Sequence, residues 1–146
     1  DTFFDRRNGV FFYVNPLGTR SDIQYTNEGN PNRDWQPIWE AKTGRFDGGW
    51  TAEFRIPFST LRYQGGGSNQ TWGLNVSRNI RHSNEELYWA FIPRQFNLYR
   101  LSMAGTLTNL TVPTRRIATV TPSRVNVLIV AGGAPSAACR PMVRVT

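Results

Sequence analysis

Gly48-Gly49-Trp50-Thr51-Ala52-Glu53-Phe54-Arg55-Ile56-Pro57-Phe58-Ser59-Thr60-Leu61-Arg62-Tyr63 carries the clearest pattern in the chain. Trp50, Ala52, Phe54 and Ile56 alternate with Thr51, Glu53 and Arg55, the period of two expected of a strand with one face in a core and the other in water. Gly48-Gly49 opens the strand, and Pro57, which has no N–H to give to a ladder, closes it. Phe58 to Tyr63 then reads as a short helical turn folding back over the sheet edge. A second strand is expected from Gln70 to Ile80, with Trp72, Leu74 and Val76 on one face. The two strands read as a hairpin, with Trp50 and Trp72 as core residues on their inward faces.

Further strands flank this pair. Gly9 to Asn15 places Val10, Phe12 and Val14 on one face and Phe11 and Tyr13 on the other, so burial on both sides is expected, as in a two-sheet sandwich. Pro16-Leu17-Gly18 supplies a turn, and a short strand over 21–26 pairs back. The loop 27–34, rich in Asn, Gly and Pro, delivers Trp35 and Trp39. Pro37 between them argues against a helix, so Trp35 is read as a loop residue and Trp39 as part of a strand over 37–43. Strands are also expected over 87–92 and 101–110, joined by a crossing loop anchored by Phe96, Leu98 and Tyr99. No heptad, helical stripe or long apolar run competes with these readings. The fold class is therefore all-β, an antiparallel sandwich of jelly-roll-like kind.

Composition narrows the function. The chain has 146 residues, room for one domain with a sizeable core. Its formal charge of +7 is unevenly spread. Twelve Arg or Lys stand against ten acids up to Val112, while five Arg and no acid follow from Pro113 onward. Basicity is thus mostly a property of the C-terminal segment, and nucleic acid is not the expected partner. Cys139 is the only cysteine and forms no intramolecular disulfide.

The segments 48–63 (GGWTAEFRIPFSTLRY) and 70–81 (QTWGLNVSRNIR), with 1–23 (DTFFDRRNGVFFYVNPLGTRSDI) upstream and 88–94 (YWAFIPR) downstream, resemble in sequence and order the family 9 carbohydrate-binding modules. The variant most like this chain precedes a large outer-membrane-type domain in bacterial proteins. The likeness runs over roughly the first 120 residues. It implies a non-catalytic module that binds a polysaccharide beside a hydrolytic or uptake partner, in an extracytoplasmic setting. It also implies a domain incomplete at its N-terminus and a C-terminal β-barrel partner beginning near 115–122. Related modules can hold calcium structurally, so the resemblance leaves a structural calcium ion open without naming its ligands. The resulting division is a carbohydrate-binding domain over 1–112, a linker or barrel stub over 113–122, and a tail over 123–146 with no aromatic anchor, expected to lack order.

Candidate site residues follow from sugar chemistry. Flat C–H faces pack on aromatic rings while hydroxyls need planar polar partners. Trp35, beyond its polar loop, is read as one wall of a binding slot. Tyr88 and Trp89 alternate, so one of them faces away from the core, and Trp89 is taken as the second ligand contact. Arg78, Asn75 and Arg94 are the candidate hydrogen-bonding partners. Catalytic readings are thinner. His82 is the only histidine and sits among charged neighbours in a turn. Glu85 and Glu86 are adjacent on a loop, and Glu53 shares a face with Arg55, which is its expected partner. A glycoside hydrolase using paired carboxylates remains one alternative. An interaction domain that packs on an outer-membrane barrel without binding sugar is the other.

Overall fold

The computed structural model describes residues 1–114, together with the backbone of the segments Arg124–Gly132 and Met142–Val145. The fold is all-β and antiparallel, with a sandwich-like arrangement. A three-stranded sheet contains β1 (Gly9–Val14), β2 (Arg20–Thr26) and β3 (Asn30–Asn32) in that order. The expected first hairpin is present, with Val14 opposite Arg20 and Gly9 opposite Tyr25. Asn15 fixes its turn, because its Oδ1 accepts the amides of Leu17 and Thr19. Asn27 and Glu28 turn the chain into β3 with φ of 50° and 56°, a left-handed conformation that Glu rarely adopts.

β4 (Glu40–Phe46) and β5 (Gly49–Pro57) form a second hairpin around Asp47-Gly48, where φ of 79° requires the glycine. The alternation in β5 is realised: Ala52, Phe54 and Ile56 are buried, while Glu53 and Arg55 face solvent. Arg55 pairs with Glu40, which stands directly across the ladder at 3.4 Å, and not with Glu53 on its own strand. Cross-strand neighbours lie closer than residues two apart along a strand, and that geometry selects the partner.

The expected hairpin of 49–56 with 70–80 does not form. β5 has β4 on one side, because a two-residue turn closes far more readily than the long connection through Gln64-Gly65-Gly66-Gly67. That connection carries the chain to another layer, where β6 (Gly67–Leu74) pairs with β9 (Gly105–Val112). Asn69 and Asn109, with φ of 65° and 59°, sit at two register shifts in this pair. The second shift lets Leu107 and Leu110 both pack against the core. The expected strand over 70–80 is interrupted at Asn75-Val76, and β7 (Ser77–Ile80) pairs instead with β8 (Glu85–Tyr88). Residues 101–103 of the last expected strand form a single 3-10 turn, Leu101–Met103.

The tail expectation is corrected. β10 (Arg124–Gly132) lies along the other edge of β5, from Arg124 opposite Pro57 to Gly132 opposite Gly49, and β11 (Met142–Val145) pairs with β10. The run Val-Asn-Val-Leu-Ile-Val is rich in β-branched residues, and an unpaired central strand offers it a full ladder. A boundary at 112 therefore separates strands that share one sheet. The proposed stub over 115–122 lies outside the described residues.

Val14, Trp39, Ala52, Phe54, Ile56, Leu61, Tyr63, Trp72 and Val112 make one core, drawn from β1, β5, β6, β9 and the segments beside them. Trp39, 6% exposed, is its hub. Its ring stacks on Phe54 at 5.8 Å and meets Phe12 edge-on at 5.0 Å. Its Nε1 donates to Asp22 Oδ1 at 3.0 Å, so the buried indole keeps a partner. A second aromatic group, Phe58, Tyr63 and Trp72, closes the far end, and the Tyr63 hydroxyl donates to the Pro113 carbonyl.

Candidate aromatic binding surface

The β7–β8 hairpin and the chain leaving it position the most exposed aromatic pair of the site. Tyr88 ends β8, and Trp89 continues the ladder by donating its amide to the Val76 carbonyl at 2.9 Å. Asn75 then takes over from the backbone. Its Oδ1 accepts the amides of Ala90 and Val76, and its Nδ2 donates to the Ala90 carbonyl at 3.1 Å. This amide bridge follows the end of β8 at Tyr88, so that the expected strand over 87–92 stops short and residues 90–92 leave the sheet. The indole of Trp89 lies against Gly105, where a Cβ would collide with the ring. Trp89 nevertheless keeps 40% of its surface in water, and Phe91, two residues on, keeps 83%. Arg94 and Gln95 are exposed just beyond Pro93.

The five sequence candidates are thus distributed over different places. Trp89 and Arg94 belong to the exposed surface. Asn75 supports that surface from behind, with its amide engaged by Ala90, and so serves as a positioning residue. Arg78, half-buried and opposite Leu87 in the hairpin, faces a cleft on the other side. Trp35 lies elsewhere, half-buried with its ring 5.7 Å from that of Phe12. Phe91 carries no site role in the sequence reading, which places it with Trp89 in the strand over 87–92. Its exposure follows from the Asn75 bridge, which no periodicity signals.

The cleft has a volume of about 990 Å³ and runs between β1 and the edge formed by β6 and β7. Tyr88 faces it, and burial, reinforced by a hydrogen bond and the negative charge of Glu86, pushes its hydroxyl up to about 12. His82 lines the outer end of the cleft as an exposed residue of the hairpin tip. The floor consists of core residues, among them Ala52, Phe54 and Ile56, and the walls are strand edges. It is a gap between strands more than a cup of convergent polar side chains.

Among the described residues, no group of three or more His, Cys, Asp or Glu side chains is gathered for a metal ion. Asp5 instead organises its own turn, accepting the amides of Arg7 and Asn8 and the Asn8 side chain. Burial raises the Asp5 carboxyl, but these donors outweigh it and hold the group below its ordinary value. Comparison of the chain with protein-family models, with curated proteins and with solved structures finds no match.

Proposed function

We propose that this chain is a non-catalytic carbohydrate-binding module in which Trp89 and Phe91 stack on the faces of a polysaccharide and Arg94 donates to its hydroxyls. The observation that carries the reading is the partial exposure of Trp89, whose ring is seated on Gly105. Large aromatic side chains are normally turned inward when a fold allows it, yet this one is held outward by the Asn75 bridge and by the ring's seat on Gly105. A ring fixed before binding loses little conformational freedom on contact, which is what stacking on a sugar requires. The sequence likeness to family 9 modules supports the same ligand class and an extracytoplasmic setting, accessory to polysaccharide breakdown.

Retention on immobilised polysaccharides tests this directly. A neutral glycan releases no counterions, so retention should be nearly constant between 50 and 200 mM salt, whereas a site neutralising several phosphates would lose on the order of 10³-fold in affinity. A reducing-sugar assay on the same glycans should stay at background, and sustained release of reducing ends would replace this reading with a hydrolase. The exposure of Phe91 also favours a second reading, a protein-contact surface that docks on a membrane-barrel partner. A chain that is retained by no glycan, yet loses a protein partner when Phe91→Ala is introduced, would support it.

A further inference from the structure

Apart from the cleft, a second concavity lies where β2 meets the segment entering β4. Its volume is about 470 Å³, and Arg20, Asp22, Pro37, Ile38 and Trp39 line it. Arg20 and Asp22 are two apart on β2, so their side chains share one face of the strand. Val14 and Phe12 stand directly across the ladder from them, which makes this the face turned toward the core. Among the described residues the two charges do not pair with each other. Each bonds instead to a different end of Trp39. Arg20 Nη1 donates to the Trp39 carbonyl at 2.7 Å, and Asp22 Oδ1 accepts from Trp39 Nε1 at 3.0 Å.

These bonds hold both charged groups against a buried residue. The adjoining backbone is held as well, because the Thr60 hydroxyl donates to the Ile38 carbonyl at 2.6 Å. Among the described residues neither Arg20 nor Asp22 makes a further hydrogen bond, so Asp22 Oδ2 and the other guanidinium N–H groups stay available to whatever enters the concavity. Support of Trp39 alone asks for less. An indole N–H needs one acceptor, and a neutral amide oxygen in place of the carboxylate would supply it.

A carboxylate only accepts and a guanidinium only donates. The ligand that satisfies both must donate and accept at neighbouring atoms, and it carries no net charge, since an anion meets Asp22 and a cation meets Arg20. Adjacent hydroxyls of a saccharide have this character: one gives its proton to the carboxylate while the oxygen of the next accepts from the guanidinium. Ile38, 79% exposed, and Pro37 add an apolar rim for the C–H face of the ring. We infer that Arg20 and Asp22 form a second saccharide subsite, which binds a vicinal diol of a neutral sugar apart from Trp89. The subsite rests on the reading of the chain as a carbohydrate-binding module, and it adds a recognition of hydroxyl pairs that stacking on a ring does not give.

The Trp39 indole N–H reports on this subsite, because its acceptor is Asp22. The full 146-residue chain is titrated by NMR with the methyl glycosides of glucose, galactose, mannose and xylose, which between them present equatorial–equatorial and axial–equatorial diols. Their fully O-methylated forms, which accept but cannot donate, and glycine, a zwitterion, are titrated alongside. At least one methyl glycoside should shift the Trp39 indole resonance saturably in the millimolar range, and its O-methylated form and glycine should not. Asp22→Asn keeps an oxygen for the indole and should weaken that binding by about tenfold. No saturable shift at Trp39 with any glycoside, an equal shift from the O-methylated form, or unchanged affinity in folded Asp22→Asn would overturn the inference. A response to glycine alone would also overturn it, in favour of a zwitterionic ligand. A shift at the Trp89 indole with none at Trp39 would overturn the subsite and leave the Trp89 surface standing. A shift at Trp39 without retention on any polysaccharide would uphold the subsite and count against Trp89.

Discussion

At the residue scale, Trp39 and Glu28 show how single side chains tie separate segments together. Trp39 links β1, β2 and β5 through Phe12, Asp22 and Phe54, and Arg20 lies 5.4 Å from its ring while donating to its carbonyl. Trp39→Ala should cost about 3–5 kcal/mol in chemical denaturation, the loss of a large core ring with incomplete collapse around it. Glu28 holds the β2–β3 turn to the 3-10 turn, accepting the Ser102 amide on Oε1 and pairing with Arg100 at 3.2 Å on Oε2. Burial raises its carboxyl, but the Ser102 donor and the charges of Arg100 and Arg7 outweigh it and bring the group below its ordinary 4.5. A depressed folded value means that the contribution is present above pH 4.5 and is lost as pH falls through the folded value. Glu28→Gln should therefore destabilise the fold near pH 7 by about 1 kcal/mol, discounted for the exposure of Arg100, and the difference from the parent should shrink in strong acid. A difference that persists unchanged at low pH would assign the effect to shape and not to charge.

At the element scale, patterns that concern one strand were readable, while patterns that concern a partner were not. Trp50, Ala52, Phe54 and Ile56 announce β5 because a half-buried strand writes its faces into alternate positions. Nothing in that alternation says which neighbour β5 takes. The two-residue turn at Asp47-Gly48 decides one side, and the distant run 124–132 takes the other. The same limit hid the break at Asn75, since a side-chain amide standing in for backbone looks like any polar residue in a strand. Asn75→Ala removes the acceptor for Ala90 and Val76. It should lower stability by about 1–3 kcal/mol and shift Trp89 emission, as the ring leaves its seat on Gly105. An unaltered Trp89 signal would show that Gly105 alone holds it. β10 gives an equally direct test. A chain ended at residue 122 loses a nine-residue strand along β5, so its β5 amides should exchange faster and its Tm should fall. Unchanged protection of β5 after truncation would contradict the pairing.

At the scale of the whole molecule, two surfaces with different physics lie on opposite sides of the β7–β8 hairpin. One is a cleft bordered by β1 and by residues 73–82 above an apolar floor. The other is an outward aromatic surface held by Asn75 and Gly105, suited to a flat ligand. The aromatic richness of the chain was legible in the sequence, but the allocation of rings between core and surface was not. Trp35 turned toward Phe12 because a loop packed on β1 places it there, and Phe91 turned outward because β8 ended early. The most direct test is a titration with a retained polysaccharide, comparing the parent chain with Trp89→Ala and Trp35→Ala, each checked for folding by near-ultraviolet dichroism. Stacking on Trp89 requires that Trp89→Ala weaken binding by about 1–3 kcal/mol, tenfold or more, while Trp35→Ala leaves affinity within about twofold. Unchanged affinity in folded Trp89→Ala, or a loss confined to Trp35→Ala, would contradict it.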